Sequence, residues 1–220
     1  MINIDPASTG NQFRAKRVEI LRSLVELSYS ENGSCNLLDI GGTYGFWKTW
    51  ENHFDWSKIR ITCVNINPTH ADTGRSKIDI EMVQGDARNL HQFADGHFDL
   101  IFSNSVIEHV GVWSDMFAMA SEVRRLAKRY FVQTPYFWFP IEPHARTPLL
   151  HMLPISLGYR IVMARKCGYW QRAATVDEAM RTLESARLLD KRQFGALFPD
   201  ADIISERFLG LTKSMFAIKR

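Results

Sequence analysis

Three polar residues stand at the ends of three short apolar runs, and they are the first candidates for chemistry. Asp39 sits near the end of Leu37-Leu38-Asp39-Ile40 and leads at once into Gly41-Gly42-Thr43-Tyr44-Gly45. Asn65 sits near the end of the run from Ile59 to Ile66, and Gln84-Gly85-Asp86-Ala87 follows the run from Ile78 to Val83. An acid, an amide and a second acid at successive strand ends are placed to reach different portions of one elongated ligand. The glycines beside Asp39 allow a close main-chain approach that a Cβ would forbid. Each position also has a local alternative, because Asp and Asn favour turns and Gly-Gly makes a tight strand-to-helix connection without any ligand. A dinucleotide loop would instead read G-x-G-x-x-G, with an acid near the end of the second strand, and the chain has neither.

Two histidines follow later runs. His109 lies in Ile107-Glu108-His109-Val110, and His144 lies in Ile141-Glu142-Pro143-His144. With a reference pKa of ~6.5, either suits a general base. Each has a structural alternative, a histidine hydrogen-bonded within its own loop. Cys35, Cys63 and Cys167 are widely spaced, without metal-ligand pairing, and read as small buried hydrophobes in a reducing compartment. No metal is expected.

The elements that must position these residues alternate in type. After a loop at Ser8 to Gly10, Phe13, Ile20, Leu21, Leu24, Val25 and Leu27 recur at helical spacing, and Asn32-Gly33-Ser34 stops the helix. The apolar runs around Leu37, Ile59–Ile66, Ile78–Val83, Phe98–Phe102 and Tyr130–Gln133 read as five strands of a parallel sheet. Ser103-Asn104-Ser105 ends the fourth. Ser114 is the expected N-cap of a helix whose apolar face carries Met116, Phe117, Met119, Ala120, Val123 and Leu126. The prolines and aromatics from Tyr136 to Gln171 break this rhythm and read as an insertion or lid. A helical region from about Val176 to Phe198 precedes two closing strands, Ile203–Phe208 and Ser214–Ile218, joined through Gly210.

At 220 residues, 45% hydrophobic and 23% charged, the chain has the composition of one globular domain with a full core. Its net charge of +3 comes from interspersed signs, which gives no electrostatic case for nucleic acid. Met1 to Arg17 is polar, without an apolar stretch of signal-peptide type, and no run approaches the ~20 residues of a membrane span. A cytoplasmic location is the default expectation.

Taken together, LLDIGGTYGFW, ITCVNIN, VQGDARNL, FDLIFSNSVIEHV and LFPDADIISERFLGLTKSMFAIKR resemble the class I S-adenosylmethionine-dependent methyltransferases, more narrowly their type 11 group. The resemblance implies an α/β, Rossmann-like fold with helices on both faces. Its sheet would have seven mostly parallel strands in the order 3-2-1-4-5-7-6, the last strand antiparallel. One domain would cover residues 1–220, with 136–175 as a substrate-side insertion or lid after strand 5. S-adenosylmethionine is the implied cofactor. Asp39, Gly41, Gly42 and Gly45 match the loop for its methionine portion, and Asn65 stands where the family more often has an acid on the ribose hydroxyls. Asp86 and Ala87 match the adenine contacts, and Ser103 and Asn104 match the segment beneath the sulfonium. Thr43 replaces the family's middle loop glycine.

The resulting expectation is methyl transfer to a small-molecule, sugar-linked or lipid-linked acceptor, with oxygen favoured and His144 and His109 as candidate bases. A non-catalytic cofactor-binding or scaffold protein of the same fold is the alternative. The aromatic and apolar surface of the insertion, with Arg160, Arg165 and Lys166 nearby, has four readings: packing of the lid onto its own domain, which is the commonest for such a surface, cover for the acceptor, a homodimer contact, or a weak contact with a membrane surface.

Overall fold

The computed structural model describes residues 9–68, 78 and 80–220. In chain order the elements are α1 (Thr9–Asn32), β1 (Cys35–Ile40), α2 (Tyr44–Thr49), β2 (Ile59–Asn65), β3 (Ile80–Gln84), β4 (Phe98–Asn104), α3 (Trp113–Leu126), β5 (Ala127–Pro135), α4 (Ile155–Ala164), α5 (Val176–Glu184), α6 (Lys191–Leu197), β6 (Asp202–Phe208) and β7 (Leu211–Lys219). The strands form a seven-stranded sheet in the order β3-β2-β1-β4-β5-β7-β6. β1 pairs in parallel with β2 and β4, β2 pairs in parallel with β3, and β6 and β7 pair antiparallel. The β6–β7 connection is tight because Leu209 and Gly210 both take left-handed backbone angles, φ 49° and 83°. Two consecutive positive φ values match the twist of a hairpin.

Two compact units can be distinguished. The first comprises the chain up to Ser103 with Val123–Phe131 and Lys219–Arg220. β1, β2 and β4 read as apolar runs because they are largely buried, whereas the edge strand β3 is only partly buried. Leu37, Leu38, Leu100, Ile101, Val123 and Phe131 are all fully buried, and all three cysteines of the chain are buried and free. The second comprises Asn104–Glu122 and Val132–Ile218. It has its own apolar cluster of Ala145, Leu150, Val162, Cys167, Ala173 and Ala179, with Tyr159, Ile161 and Trp170 packed against it. Gly158 of α4 permits a close helix crossing, since a Cβ there would stand 3.2 Å from Leu183 of α5.

Several sequence expectations need correction. Thr9 and Gly10 begin α1 rather than a loop, which costs little where the first-turn N–H groups lack helical partners anyway. Ser8 lies outside the described residues. The third strand begins at Ile80, not Ile78. Ser114 lies inside α3 rather than capping it, and Asp115 instead accepts from the Val112 N–H at 2.9 Å. Met116, Met119, Ala120, Val123 and Leu126 are buried, but Phe117 faces solvent at 49% exposure.

The helical region after Val176 is broken between α5 and α6 because residues there bond elsewhere. The Arg187 N–H donates to the Glu108 carbonyl at 2.7 Å and the Phe137 N–H to the Leu189 carbonyl at 2.9 Å. Asp190 then restarts the helix through a capping box with Gln193. The insertion is not simply a proline loop, since it contains α4. No described helix is long and apolar enough to cross a membrane.

Two glycines separate conformational from steric need. Gly33 closes α1 at φ 72°, and a Cβ there would meet nothing within 4 Å. Gly168, at φ 54°, would place a Cβ 2.5 Å from the Ala145 backbone. Gly33→Ala should therefore cost about 1 kcal/mol. Gly168→Ala adds a collision to the same strain, and its shift in thermal midpoint should be the larger by a factor of two or more. Equal shifts would disprove the steric assignment.

Candidate active site

The loop after β1 is built on contact between a glycine and a buried acid. A Cβ on Gly42 would stand 2.1 Å from Asp39 Oδ2, so only glycine fits beside that carboxylate. Asp39 is 2% exposed, and its Oδ2 accepts from the indole Nε1–H of Trp47 at 2.8 Å. Trp47 is itself fully buried and held by the rings of Phe46, Phe54 and Phe102. Burial pushes the Asp39 pKa up to about 8, and the indole N–H offsets only part of that rise. Gly41, at φ 77°, turns the chain while its N–H donates to the Val64 carbonyl at 2.9 Å. Thr43 has φ −130°, which needs no glycine, and its hydroxyl caps α2 by accepting from the Phe46 N–H at 3.3 Å. Gly45 lies in the first turn of α2, with open space where its Cβ would be.

Asn65 ends β2 and turns toward the same loop, its Nδ2 donating to the Gly42 carbonyl at 2.7 Å. Its amide oxygen remains the atom with which it could accept from a ligand hydroxyl. Asp86 has a neighbour that sequence reading missed. Arg88 Nε and Nη2 fork onto its carboxylate at 2.9 and 2.6 Å, and this hydrogen bond holds Asp86 below the usual carboxylate range against some desolvation. Ala87 is half-buried in the turn between them. Ser103 is fully buried, its hydroxyl donating to the Ile40 carbonyl at 3.3 Å, and Asn104 is the last residue of β4.

In the second unit, the turn after β4 brings the two candidate histidines together. Ser105 takes a left-handed φ of 58°, and its N–H and hydroxyl donate to the Gln133 backbone and side chain at 3.0 and 2.8 Å. The chain then enters a 3-10 turn, Ile107–His109, which turns Glu108 inward to 1% exposure. Glu108 Oε2 accepts from the Thr134 hydroxyl at 3.0 Å, whereas Oε1 is buried without a partner among the described residues. Burial raises the Glu108 pKa, opposed by His109, by hydrogen bonds and by His144.

His109 Nδ1 lies 2.7 Å from the Ser185 carbonyl, and His144 Nδ1 lies 2.7 Å from Glu142 Oε1. Glu142 is 2% exposed, and its Oε2 accepts from the Ala145 N–H. A carbonyl or carboxylate can only accept, so both rings carry their proton on Nδ1 and leave Nε2 for other work. The two rings meet edge to face with centroids 4.8 Å apart, and Trp170 lies parallel to His144. Desolvation works to lower the His144 pKa, but the hydrogen bond and charge of Glu142, with the charge of Glu108, carry it upward.

Beside Glu142 lies a cavity of about 230 Å³, walled by Phe137, Leu150, Trp170 and Leu183 and edged by His151 and Arg187. His151 Nε2 sits 2.7 Å from the Phe137 carbonyl, and its Nδ1 is buried without a partner. Sequence reading had named neither His151 nor Trp170. Glu108 and Glu142 were visible only as neighbours of the two histidines.

This strand order, with its antiparallel last pair, is that of the class I, Rossmann-like methyltransferase fold. Residues 38–130, less than half of the chain, match a family model described as a methyltransferase domain. The matched stretch includes the glycine loop and His109 and stops short of His144. Three similar solved structures are the carbon methyltransferase CurJ, the N-terminal domain of EvdMO1 with SAH bound, and the magnesium protoporphyrin IX methyltransferase of Synechocystis PCC 6803 with SAH bound.

CurJ shares 14% identity at a TM-score of 0.52 over 84% of this chain, which spans only 48% of that chain. The EvdMO1 domain has 14% identity and a TM-score of 0.52, with 94% of this chain and 80% of that one covered. The Synechocystis enzyme has 10% identity and a TM-score of 0.51, covering 99% and 90%. At these identities the likeness is one of fold. No curated protein sequence matches the chain.

The elevated Asp39 pKa has a consequence for stability. The folded chain keeps a proton on this carboxyl that the unfolded chain releases near pH 3.8, so the contribution favours folding fully below that pH and is lost as pH rises through about 8. Asp39→Asn keeps an acceptor for Trp47 and removes the titration. The stability of the variant relative to the native chain should rise from about pH 5 to pH 8, by up to ~1.4 kcal/mol per pH unit. Parallel pH profiles in denaturant titrations would refute the burial argument.

Proposed function

We propose that this protein transfers a methyl group from S-adenosylmethionine to an oxygen of a small-molecule acceptor, free or linked to a sugar or lipid. The observation that carries the reading is the close approach of the Gly42 main chain to Asp39, which a Cβ would forbid, at the end of a strand where the neighbouring strand also presents Asn65. The SAH in two proteins of similar fold supports the same cofactor. The residues fit it: Asp39 and the Gly41–Gly42 backbone would hold the methionine portion, and Asn65 the ribose through its amide oxygen. Asp86 and Ala87 would face the adenine, with Asp86 sharing its carboxylate with Arg88. Ser103 and Asn104 would lie under the sulfonium. When bound, the cofactor supplies an electrophilic methyl on a cationic sulfur, so positioning and exclusion of water account for much of the rate.

An oxygen nucleophile is favoured because it must lose a proton, and the second unit holds groups suited to taking one. His144 is the first candidate base, since Glu142 orients its ring and supports its positive charge once the proton is taken. His109 is the second. The cavity, of mixed polar and apolar lining and smaller than the ~300–1,000 Å³ of common ligand clefts, suits part of an acceptor. Residues 136–175 would supply most of that subsite, aided by Leu183 and Arg187.

Calorimetric titration with S-adenosylmethionine and S-adenosylhomocysteine tests the cofactor. Gly42→Ala should weaken both by at least about ten-fold. Turnover of methyl-labelled cofactor against phenols, sugars and lipid-linked sugars tests the reaction. His144→Ala should lose ~10²–10⁴-fold in kcat while keeping its affinity for S-adenosylhomocysteine. No binding of either ligand by folded protein would end the reading, and binding without transfer to any acceptor would favour a non-catalytic scaffold.

A further inference from the structure

Glu108, His109 and His144 each offer a donor atom, and these atoms lie within 4.8 Å of one another. We propose that these three residues form a binding site for a divalent first-row transition metal ion, a cluster of two imidazoles and one carboxylate. Three independent features support it. Among the described residues, Glu108 Oε1 is buried with no hydrogen-bond partner, although Oε2 of the same carboxylate is satisfied by Thr134. A buried carboxylate oxygen left unpaired is costly, and a cation is the partner that would satisfy it best.

Both imidazoles are held from behind at Nδ1, one by the Ser185 carbonyl and the other by the Glu142 carboxylate. This second layer fixes the tautomer and aim of metal-ligating histidines and raises their basicity as ligands. Finally, the ligands are unevenly anchored. His144 is stacked on Trp170 and Glu108 is enclosed, whereas His109 is exposed and has room to adjust. Ligand atoms on one ion sit ~3–4 Å apart at bond lengths of about 2.0–2.2 Å, so loading requires a contraction of about an ångström.

Two imidazole nitrogens and one carboxylate suit zinc, manganese, iron(II) or cobalt(II) better than magnesium or calcium, which take oxygen ligands. Three protein ligands leave coordination positions open. On the methyl-transfer reading, the acceptor oxygen would occupy one, and the ion would ease loss of its proton. The imidazoles would then serve as ligands instead of bases. That role rests on the proposed function, but the binding site does not.

The test uses the full chain, stripped with chelator and titrated with cobalt(II), with S-adenosylhomocysteine affinity measured in parallel. Stoichiometric binding should appear as visible ligand-field absorption, which zinc(II) abolishes by displacement. His144→Ala and Glu108→Gln should each weaken cobalt binding at least ten-fold. His109→Ala, at an exposed position where truncation leaves no core cavity, should do the same. Glu142→Gln, behind His144, should weaken it about 10–100-fold. Binding of S-adenosylhomocysteine with no cobalt absorption, or cobalt affinity unchanged in all three ligand variants, would overturn the metal site and leave the methyltransferase reading intact. Cobalt bound by these residues in a protein with no affinity for S-adenosylhomocysteine would sustain the site and overturn the methyltransferase reading.

Discussion

Much of the first unit's candidate site depends on the lack of a side chain at Gly42. With a Cβ 2.1 Å from its Oδ2, Asp39 could not remain where it is. Buried there, the carboxylate takes the Trp47 N–H, and Trp47 in turn packs among Phe46, Phe54 and Phe102. The Gly42 carbonyl receives the amide of Asn65. One small residue thus couples the ends of two parallel strands to the first turn of α2. A buried acid with a single good donor is not an economical way to stabilise a core, since apolar replacements usually do as well.

What could be read from the sequence was what local pattern controls. Apolar runs buried on both faces announced the strands, and the polar residues at their ends marked where ligand contacts would have to come from. Fold-level resemblance supplied the strand order, which periodicity alone could not. Thr43 was a worrying departure only until its backbone angles were known, since an extended φ makes glycine unnecessary there. Less legible were partners set by tertiary geometry. Nothing in local spacing says that Asn65 donates to Gly42, or that a break after Glu184 will let the Arg187 N–H reach Glu108. Arg88 could have been suspected, because an Asp two residues before an Arg in a turn is within reach of its guanidinium.

The pairing of His109 and His144 illustrates the same limit. Each lay in a motif that contained its own carboxylate, yet the two acids play different parts. Glu142 is satisfied twice over, by the imidazole of His144 and by the Ala145 N–H. Glu108 sits across from both imidazoles with one oxygen unspent. Adjacent Glu-His and Glu-x-His pairs in sequence do not distinguish an orienting acid from an unfilled one. Only the fold does, by bringing Thr134 to one oxygen of Glu108 and none of the described residues to the other.

Backbone strain falls in the same region. Ser105, Arg146 and Leu149 all adopt left-handed angles without being glycine, and they flank the cluster in sequence on both sides. Such conformations persist only where surrounding contacts overdetermine them, and they gather at sites where position matters more than local comfort. Here the contacts are supplied by a core of the second unit's own, from Ala145 through Ala179. That cluster contains none of the residues that shape the Gly42 turn, so each unit carries the contacts that hold its own candidate residues.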